Sequence, residues 1–541
     1  MHLKKVKRGR TLISLLLAGS MTVGLVGCSD SAKENETVNN ASTAEKEQPD
    51  ANSAAAPENS TEGERPTLTM WSTWRCNEQV SDPGDTAFYQ AIEEACNVNL
   101  EFVDSSGGKD SLSILMGTDD LPDIIYEWDG NVPGGVQKAL ADGSILALND
   151  LMDSGYLPNF KSYLESDPEA DKLCRNDDGL YAWTPMIRLA DSPLVFSGNM
   201  IRQDWLDELG LEAPSTIDEM EQVLLAFKEK KGCEAGYSVA YKDYSKFVMS
   251  YGICENFYIE NDQVKYGFIE PSYKDFLTTF NRWYQEGILD PDAFAQDIDA
   301  FYAKIASEKT GFVWGNTGGE LGKIETMKAD NPDMNFVPIP YPTLKEGENF
   351  PVDVSNYRVN NVGMMIAATC KNPEAAARVL DYVYGEEGHM LANFGQEGIS
   401  YEMKDGEPVL TEQITNNPDG LSIQQALSFY AGSNNKPFLC DRRMMMQTYA
   451  LQVQKDSLDA WSTPDAKIKQ MPPVTMTAEE AQEFNQIMTD INTYTDEMKL
   501  KFIMGTESLD NYTVFVENIR KMNIERAIEL QQTAYDRYLN R

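Results

Sequence analysis

From Thr67 onward the chain alternates short strand-forming runs with amphipathic helices, and the runs carry apolar residues on both faces. Thr67 to Trp71, Val98 to Val103 and Pro122 to Tyr126 read as strands; Asp85 to Cys96 and Ser111 to Met116 read as helices between them. A strand apolar on both faces must be covered on both, which a parallel sheet sandwiched between helices provides. The fold class expected is therefore α/β. In such sheets ligands lie beyond the carboxyl ends of the strands, which here means the loops Ser72-Thr73-Trp74-Arg75 and Glu127-Trp128-Asp129-Gly130-Asn131. About 475 residues follow Pro66, enough for two substantial cores.

Later helices are clearly punctuated. Thr216 and Glu219 form a capping box, each able to satisfy the other's orphan amide, and so do Thr477 and Glu480. The first opens a helix through Phe227, the second a long helix presenting Phe484, Ile487, Ile491, Met498 and Phe502 before Gly505. Tyr273 to Gln285 is a further helix, and Asn372-Pro373 starts one that runs to Gly385. Asn511 to Leu539 reads as helix again.

The amino terminus is an export address. Lys4, Lys5, Lys7, Arg8 and Arg10 precede an uncharged stretch from Thr11 to Val26, too short and too rich in Gly, Ser and Thr for a membrane span. Leu25-Val26-Gly27-Cys28 resembles the lipobox of bacterial lipoproteins, which implies removal of residues 1–27 and lipid (palmitate and diacylglycerol chains) on Cys28. More than one acyl chain suits the energetics, because a single chain holds a protein only marginally. Residues 28–66 lack aromatic residues and are rich in Asn, Ser, Thr, Ala, Glu and Pro, the composition of a disordered tether.

Composition then narrows the function. The formal net charge is −40, and about −45 without the five amino-terminal cations, so nucleic acid and anionic lipid are poor partners. Cys76, Cys96, Cys174, Cys233, Cys254, Cys370 and Cys440 are scattered and odd in number, suggesting neither a zinc site nor a full disulfide framework. Beyond His2 the only histidine is His389, which cannot form a zinc cluster and reads as a capping or surface residue. Gly315-Asn316-Thr317-Gly318-Gly319 lacks the Lys-Ser/Thr ending of a phosphate loop. Asn176-Asp177-Asp178-Gly179 looks like a calcium turn but lacks the spaced acids and closing Glu of an EF-hand. No cofactor is expected.

Four stretches carry a family resemblance. They are Leu121-Pro122-Asp123-Ile124-Ile125; Gly179 to Pro185 with Met200 to Leu206; Lys371 to Ala376 through Gly388 and on to Gly398; and Asp490 to Tyr494 through Gly505. In order and spacing the chain resembles the extracellular solute-binding proteins of family 1, and within them the large oligosaccharide-type lipoproteins of Gram-positive bacteria. The resemblance implies a two-lobed, periplasmic-binding-protein-like fold with a ligand cleft between the lobes and extra carboxyl-terminal helices. Lobe one would comprise 67–190 and 353–400, lobe two 191–352 and 401–541. It further implies a monomeric, non-enzymatic receptor on the outer face of the cell membrane that hands a carbohydrate to ABC permease subunits. Some relatives carry a structural calcium, so the resemblance leaves one open for this chain. A peptide-binding lipoprotein and a surface glycoside hydrolase or lyase, which would need paired carboxylates across the cleft, are the alternatives.

A sugar cleft needs flat aromatic faces for C–H patches and planar polar groups for hydroxyls. Trp74, Trp128 and Asp129 are candidates from the sheet-end loops, Trp183 and Arg188 from the crossing region. Trp314, where the family places an aromatic platform, is another, with Asn316 beside it. Tyr241, Tyr357 and Arg358 complete the set; Trp71, Trp205 and Trp283 read as core.

Overall fold

A computed structural model describes residues 65–73, 80, 82–118, 120–239, 243–432 and 438–541, without the side chains of 243–245. Cys28, Trp74 and Tyr241 lie outside the described residues. Ten strands build two sheets: β1 (Thr67–Ser72), β2 (Asn99–Phe102), β3 (Ile124–Trp128), β4 (Thr184–Arg188), β5 (Ser197–Arg202), β6 (Tyr237–Ser238), β7 (Phe312–Asn316), β8 (Phe336–Ile339), β9 (Val359–Ile366) and β10 (Leu439–Cys440). The first sheet has the order β10-β4-β9-β3-β1-β2, the second β8-β5-β7-β6.

Both faces of the first sheet are covered, as the doubly apolar runs require. Leu68, Met70, Ile124, Tyr126, Met364 and Ile366 point into one cluster with helix residues such as Phe88, Ile92 and Leu380. Their neighbours Trp71, Ile125 and Met365 point into the other, with Leu112, Val136 and Ala139. The two-residue period of a strand alone produces this division. The sheet is not wholly parallel, however. Strand β9 runs antiparallel between β3 and β4, setting Met364 opposite both Tyr126 and Thr184.

The second sheet repeats the plan. Ile201 and Phe312 enter a large core with Trp205, Phe227, Phe280 and Trp283. Met200 and Val313 enter a smaller one with Phe301, Phe336 and Trp461. Gly198 is required there: a Cβ would sit 2.4 Å from the Trp461 ring, whose Nε1 donates to the Asn199 carbonyl at 3.0 Å. Both sequence-read capping boxes form, at Thr216/Glu219 and Thr477/Glu480.

Strand directions fix how the sheets communicate. In the first sheet β1, β2, β3, β4 and β10 all end at one rim, where β9 begins. In the second, β6, β7 and β8 end at one rim, where β5 begins. Residues 189–196 run from the end of β4 to the start of β5, and 340–358 from the end of β8 to the start of β9. Both segments therefore join rim to rim. The antiparallel β9 follows from this, since a chain arriving from the other rim has to enter the first sheet at the end its neighbours leave.

Two sequence expectations change. Residues 401–449, expected in the second lobe, pack into the first core through Tyr401, Leu410, Ile414, Leu427, Met444 and Tyr449, and supply the edge strand β10. The chain crosses to the smaller core of the second sheet only afterwards, through Gln452–Ala460 to Trp461. The expected final helix is two, Tyr512–Lys521 and Ile524–Leu539, broken where Asn523 adopts a left-handed φ of 73°. Short polar side chains tolerate that conformation.

The last helix fastens the cores together. Arg537 and Arg541 donate to the two oxygens of Asp177 at 2.9 and 2.6 Å, Arg541 also to the carbonyls of Lys172 and Arg175. Ala527 of that helix belongs to the second core, whereas Ala170 and Cys174 of the helix before Asp177 belong to the first.

Candidate functional site

The first rim is organised by one buried carboxylate. Glu127, fully buried near the end of β3, accepts from the Trp128 amide at 2.9 Å and Asn131 Nδ2 at 3.1 Å through Oε1. Through Oε2 it accepts from Thr73 Oγ1 at 2.6 Å and, more weakly, Trp71 Nε1 at 3.4 Å. The ends of β1 and β3 are thereby tied to each other. Trp128 then projects from the rim, 43% exposed, with its ring over Gly130, where a Cβ would lie 3.0 Å from the indole. Among the described tryptophans it alone is exposed, and it stands where ligands collect in sheets of this kind. Asp129 is used by the fold itself, because its Oδ1 accepts from the Val136 amide at 2.7 Å, at the start of helix Val136–Ala141.

Arg188 closes β4 on the same rim. Its backbone is held on both sides by Arg358, through Arg188 N to Arg358 O at 2.9 Å and Arg358 Nε to Arg188 O at 3.0 Å. Its guanidinium lies 4.7 Å from the Phe196 ring centroid, a cation–π stack, and Nη1 donates to the Tyr357 carbonyl at 3.2 Å. From the other rim, Trp314 sits half-buried against the second core with Lys246 Nζ 5.8 Å from its ring, and Asn316 is exposed at the end of β7. Glu320 accepts from both the Asn316 amide and its Nδ2, at 2.6 and 2.9 Å.

Between the rims lies a cavity of about 310 Å³. The first lobe lines it with Met186, Arg188, Gln424, Cys440, Met445 and Tyr449; Phe196 of the crossing and Asn316, Gly318 and Gly319 of the second lobe line the rest. It thus offers two aromatic faces, two side-chain amides, exposed backbone and one cation. Burial pushes the Cys440 thiol and the Tyr449 phenol up to about 12, so both are neutral near pH 7. Four larger hollows, of about 480 to 500 Å³, open beside 340–351 and 460–468, beside 191–195 with 442–462, and within 149–181; none takes a strand residue of either sheet. A ligand held by the strand ends of both sheets responds to their relative position, and of these cavities the smaller one alone has that lining, so it is the candidate site.

The sequence-read residues divide accordingly. Arg188 and Asn316 line the cavity, and Trp128 stands on the first rim. Trp183 does not join them: it precedes β4 at the end remote from the rim, its ring resting on Gly363, where a Cβ would lie 2.7 Å away. Tyr357 is half-buried and donates to the Gln470 carbonyl at 3.0 Å. Arg358 is withdrawn from any ligand, being 7% exposed with its fork engaged by Asp167, Glu169 and Tyr163. His389 lies in a new helix, Glu386–Phe394, and shares a hydrogen bond with Asp441 at 3.2 Å just beyond β10. Its partner Asn393 donates to the Leu439 carbonyl, so the pair braces the edge strand.

Gln424, Tyr449 and Phe196 escaped the sequence reading. The first two follow from assigning 401–449 to the other lobe; the two-residue β10 has no periodicity to reveal where that segment docks. Phe196 could have been found from its place on the crossing, immediately before β5.

The Asn176–Gly179 turn does not suit a cation. Asn176 Oδ1 accepts from the amides of Asp178 and Leu180, and Asp177 is spent on two guanidinium groups that would face the metal. Among the described residues no group of three or more His, Cys, Asp or Glu side chains could hold a metal ion. The six described cysteines are free thiols.

A two-lobed α/β body with a cavity between facing sheet rims is the form of a binding protein that closes on its ligand. The chain matches the bacterial extracellular solute-binding proteins over residues 80–390 and belongs to that family. It is similar to the fructooligosaccharide ABC transporter substrate-binding protein FusA of Streptococcus pneumoniae serotype 4, 23% identical over 494 residues that cover 84% of this chain and 88% of that protein. Lipoprotein LipO of Bacillus subtilis is 24% identical over 400 residues, 69% of this chain and 75% of LipO. Among solved structures, the alginate-binding protein AlgQ2 without calcium ion superposes with a TM-score of 0.73 at 23% identity, over 87% of this chain and 98% of that one. The EF-hand mutant of S. pneumoniae FusA with fructo-nystose gives 0.71 at 20% identity, over 88% and 99%. These likenesses establish the two-lobed fold. Family membership gives an extracellular or surface location, and no described helix is long and apolar enough to cross a membrane.

Proposed function

We propose that this protein captures an oligosaccharide between its lobes and delivers it to an ABC importer, without catalysing a reaction. The observation that carries the reading is the rim-to-rim cavity, whose Phe196 and Tyr449 rings and Asn316 and Gln424 amides suit the C–H patches and hydroxyls of a sugar. The curated relatives support it: besides FusA, the melibiose/raffinose/stachyose-binding protein MelE of Bacillus subtilis is 24% identical over 308 residues. A ligand touching both walls binds the closed form better than the open one, and that difference shifts the population a permease can recognise. The lipobox-like Leu25 to Cys28 and the tether to Pro66 would hold the receptor on the outer membrane face near its transporter, raising its effective concentration there.

Thermal shift paired with product analysis on oligosaccharide and peptide panels tests this. An oligosaccharide should raise the melting midpoint and be recovered intact. Turnover of the sugar, or stabilisation by peptides alone, would overturn the reading. Cys28→Ser should release the protein into the medium with its ligand affinity unchanged; retention on the cell would refute the anchor.

A further inference from the structure

Carboxylates outnumber basic side chains in this chain by 86 to 46, yet the described lining of the interlobe cavity contains none. Its one charged group is Arg188. No ion pair joins that guanidinium to a described carboxylate; its contacts are the Phe196 face and one carbonyl. Glu320, the acid nearest in sequence to the opposite wall's Asn316, is engaged by Asn316 itself. Cys440 and Tyr449 are neutral near pH 7. Burial lowers the pKa of Arg188 itself, the direction expected where desolvation of a cation is not offset by an anion. A guanidinium nevertheless stays charged.

An uncompensated, desolvated cation is costly unless something supplies the opposite charge. A neutral sugar would leave it unanswered, and hydroxyl donors would find no carboxylate in this lining to accept from them. Resting on the carbohydrate-receptor reading, we infer that the ligand carries a carboxylate, as a uronic acid residue does, and that Arg188 pairs with it inside the cavity. The Phe196 stack and the Arg358 backbone clasp fix the plane of the guanidinium, and a planar fork matches a carboxylate with two parallel hydrogen bonds. The chain's net charge of −40 opposes an anionic ligand at long range. Screening over roughly 8 Å at physiological salt confines that opposition to the surface, whereas the pair inside the cavity is screened far less.

The experiment is calorimetric titration of the Cys28→Ser protein with oligouronates (galacturonate, mannuronate and glucuronate series), their methyl esters, sulfated oligosaccharides and neutral oligosaccharides. One oligouronate should bind at least about tenfold more tightly than its ester, the scale of one charge-assisted pair. Arg188→Gln should erase that preference, and Arg188→Lys should keep part of it because the charge remains without the fork. An unchanged melting midpoint of both variants shows that the loss is local. Equal affinity for acid and ester, or preference for the sulfated probe, overturns the carboxylate assignment. If neutral sugars then bind tightly, the receptor reading stands without it; if only peptides bind, both fall.

Discussion

Arg358→Ala should lower the stability of the protein by about 3–5 kcal/mol, the range for breaking a buried charge network by removing one partner. Arg358 sits where the second crossing enters β9, and its guanidinium donates to Asp167 through two nitrogens at 3.2 and 2.6 Å, with Tyr163 Oη at 3.2 Å. Asp167 in turn caps the helix Pro168–Cys174 through the Ala170 amide. Removing the arginine strands a carboxylate that is 18% exposed and loosens that helix with it. The contact with Glu169, an acid 67% exposed, adds little. Arg358→Lys should recover only part of the loss, because an ammonium cannot bridge both oxygens in the same plane.

The pH dependence has a definite sign. Burial pushes the Asp167 carboxyl up, but hydrogen bonds from Arg358, the Ala170 amide and Tyr163 outweigh it and hold the pKa below the usual range. A depressed folded pKa contributes stability that is fully present above the unfolded value of about 3.9 and is lost as pH falls through the folded value. The stability gap between wild type and Arg358→Ala should therefore be constant from about pH 5 to 7 and narrow below about pH 4. Denaturant titrations at a series of pH values measure it; a gap that widens in acid would contradict the assignment.

Glu127→Ala should lower stability by about 3 kcal/mol and weaken ligand binding at least tenfold, whereas Glu127→Gln should be roughly half as damaging. Both oxygens of Glu127 accept from donors: Trp128 N and Asn131 on one side, Thr73 and Trp71 on the other. A glutamine turned with its oxygen toward Trp128 N and Asn131 Nδ2 keeps those two bonds and can donate to the Thr73 hydroxyl, which is able to accept; only the weak Trp71 contact meets a second donor. The glutamine is thus isosteric and keeps part of the network, whereas alanine leaves all four donors without their acceptor. Binding falls because the loops carrying Thr73 and Trp128 lose their shared anchor. Equal affinity in Glu127→Ala and wild type would show that the first rim takes no part in the site.

These residues mark what a sequence reading can reach. The strands of the first sheet were legible because Ile124, Ile125 and Tyr126 are all buried, leaving a run with no polar face. The capping boxes were legible because their chemistry is local. Arg358 was misread as a ligand residue because its acids lie some 190 positions away, and nothing near Arg358 announces them. Trp183 was misplaced because the sequence shows that a crossing is near but not at which end of β4 it falls. The antiparallel sense of β9 and the docking of 401–449 depend on where the chain comes from, which no window of residues contains. Arg188 is legible as a candidate of the crossing region; that no described carboxylate pairs with it emerges only from the packing.

Ligand held between the two rims must touch both lobes at once. Hydrogen exchange of the protein, with and without a saturating oligosaccharide that binds, tests this directly. New protection is expected together at 186–196, 316–319 and 440–449, the segments that line the cavity from both lobes. Protection confined to one lobe, or to segments 340–351 and 460–468 around two of the larger hollows, would contradict it.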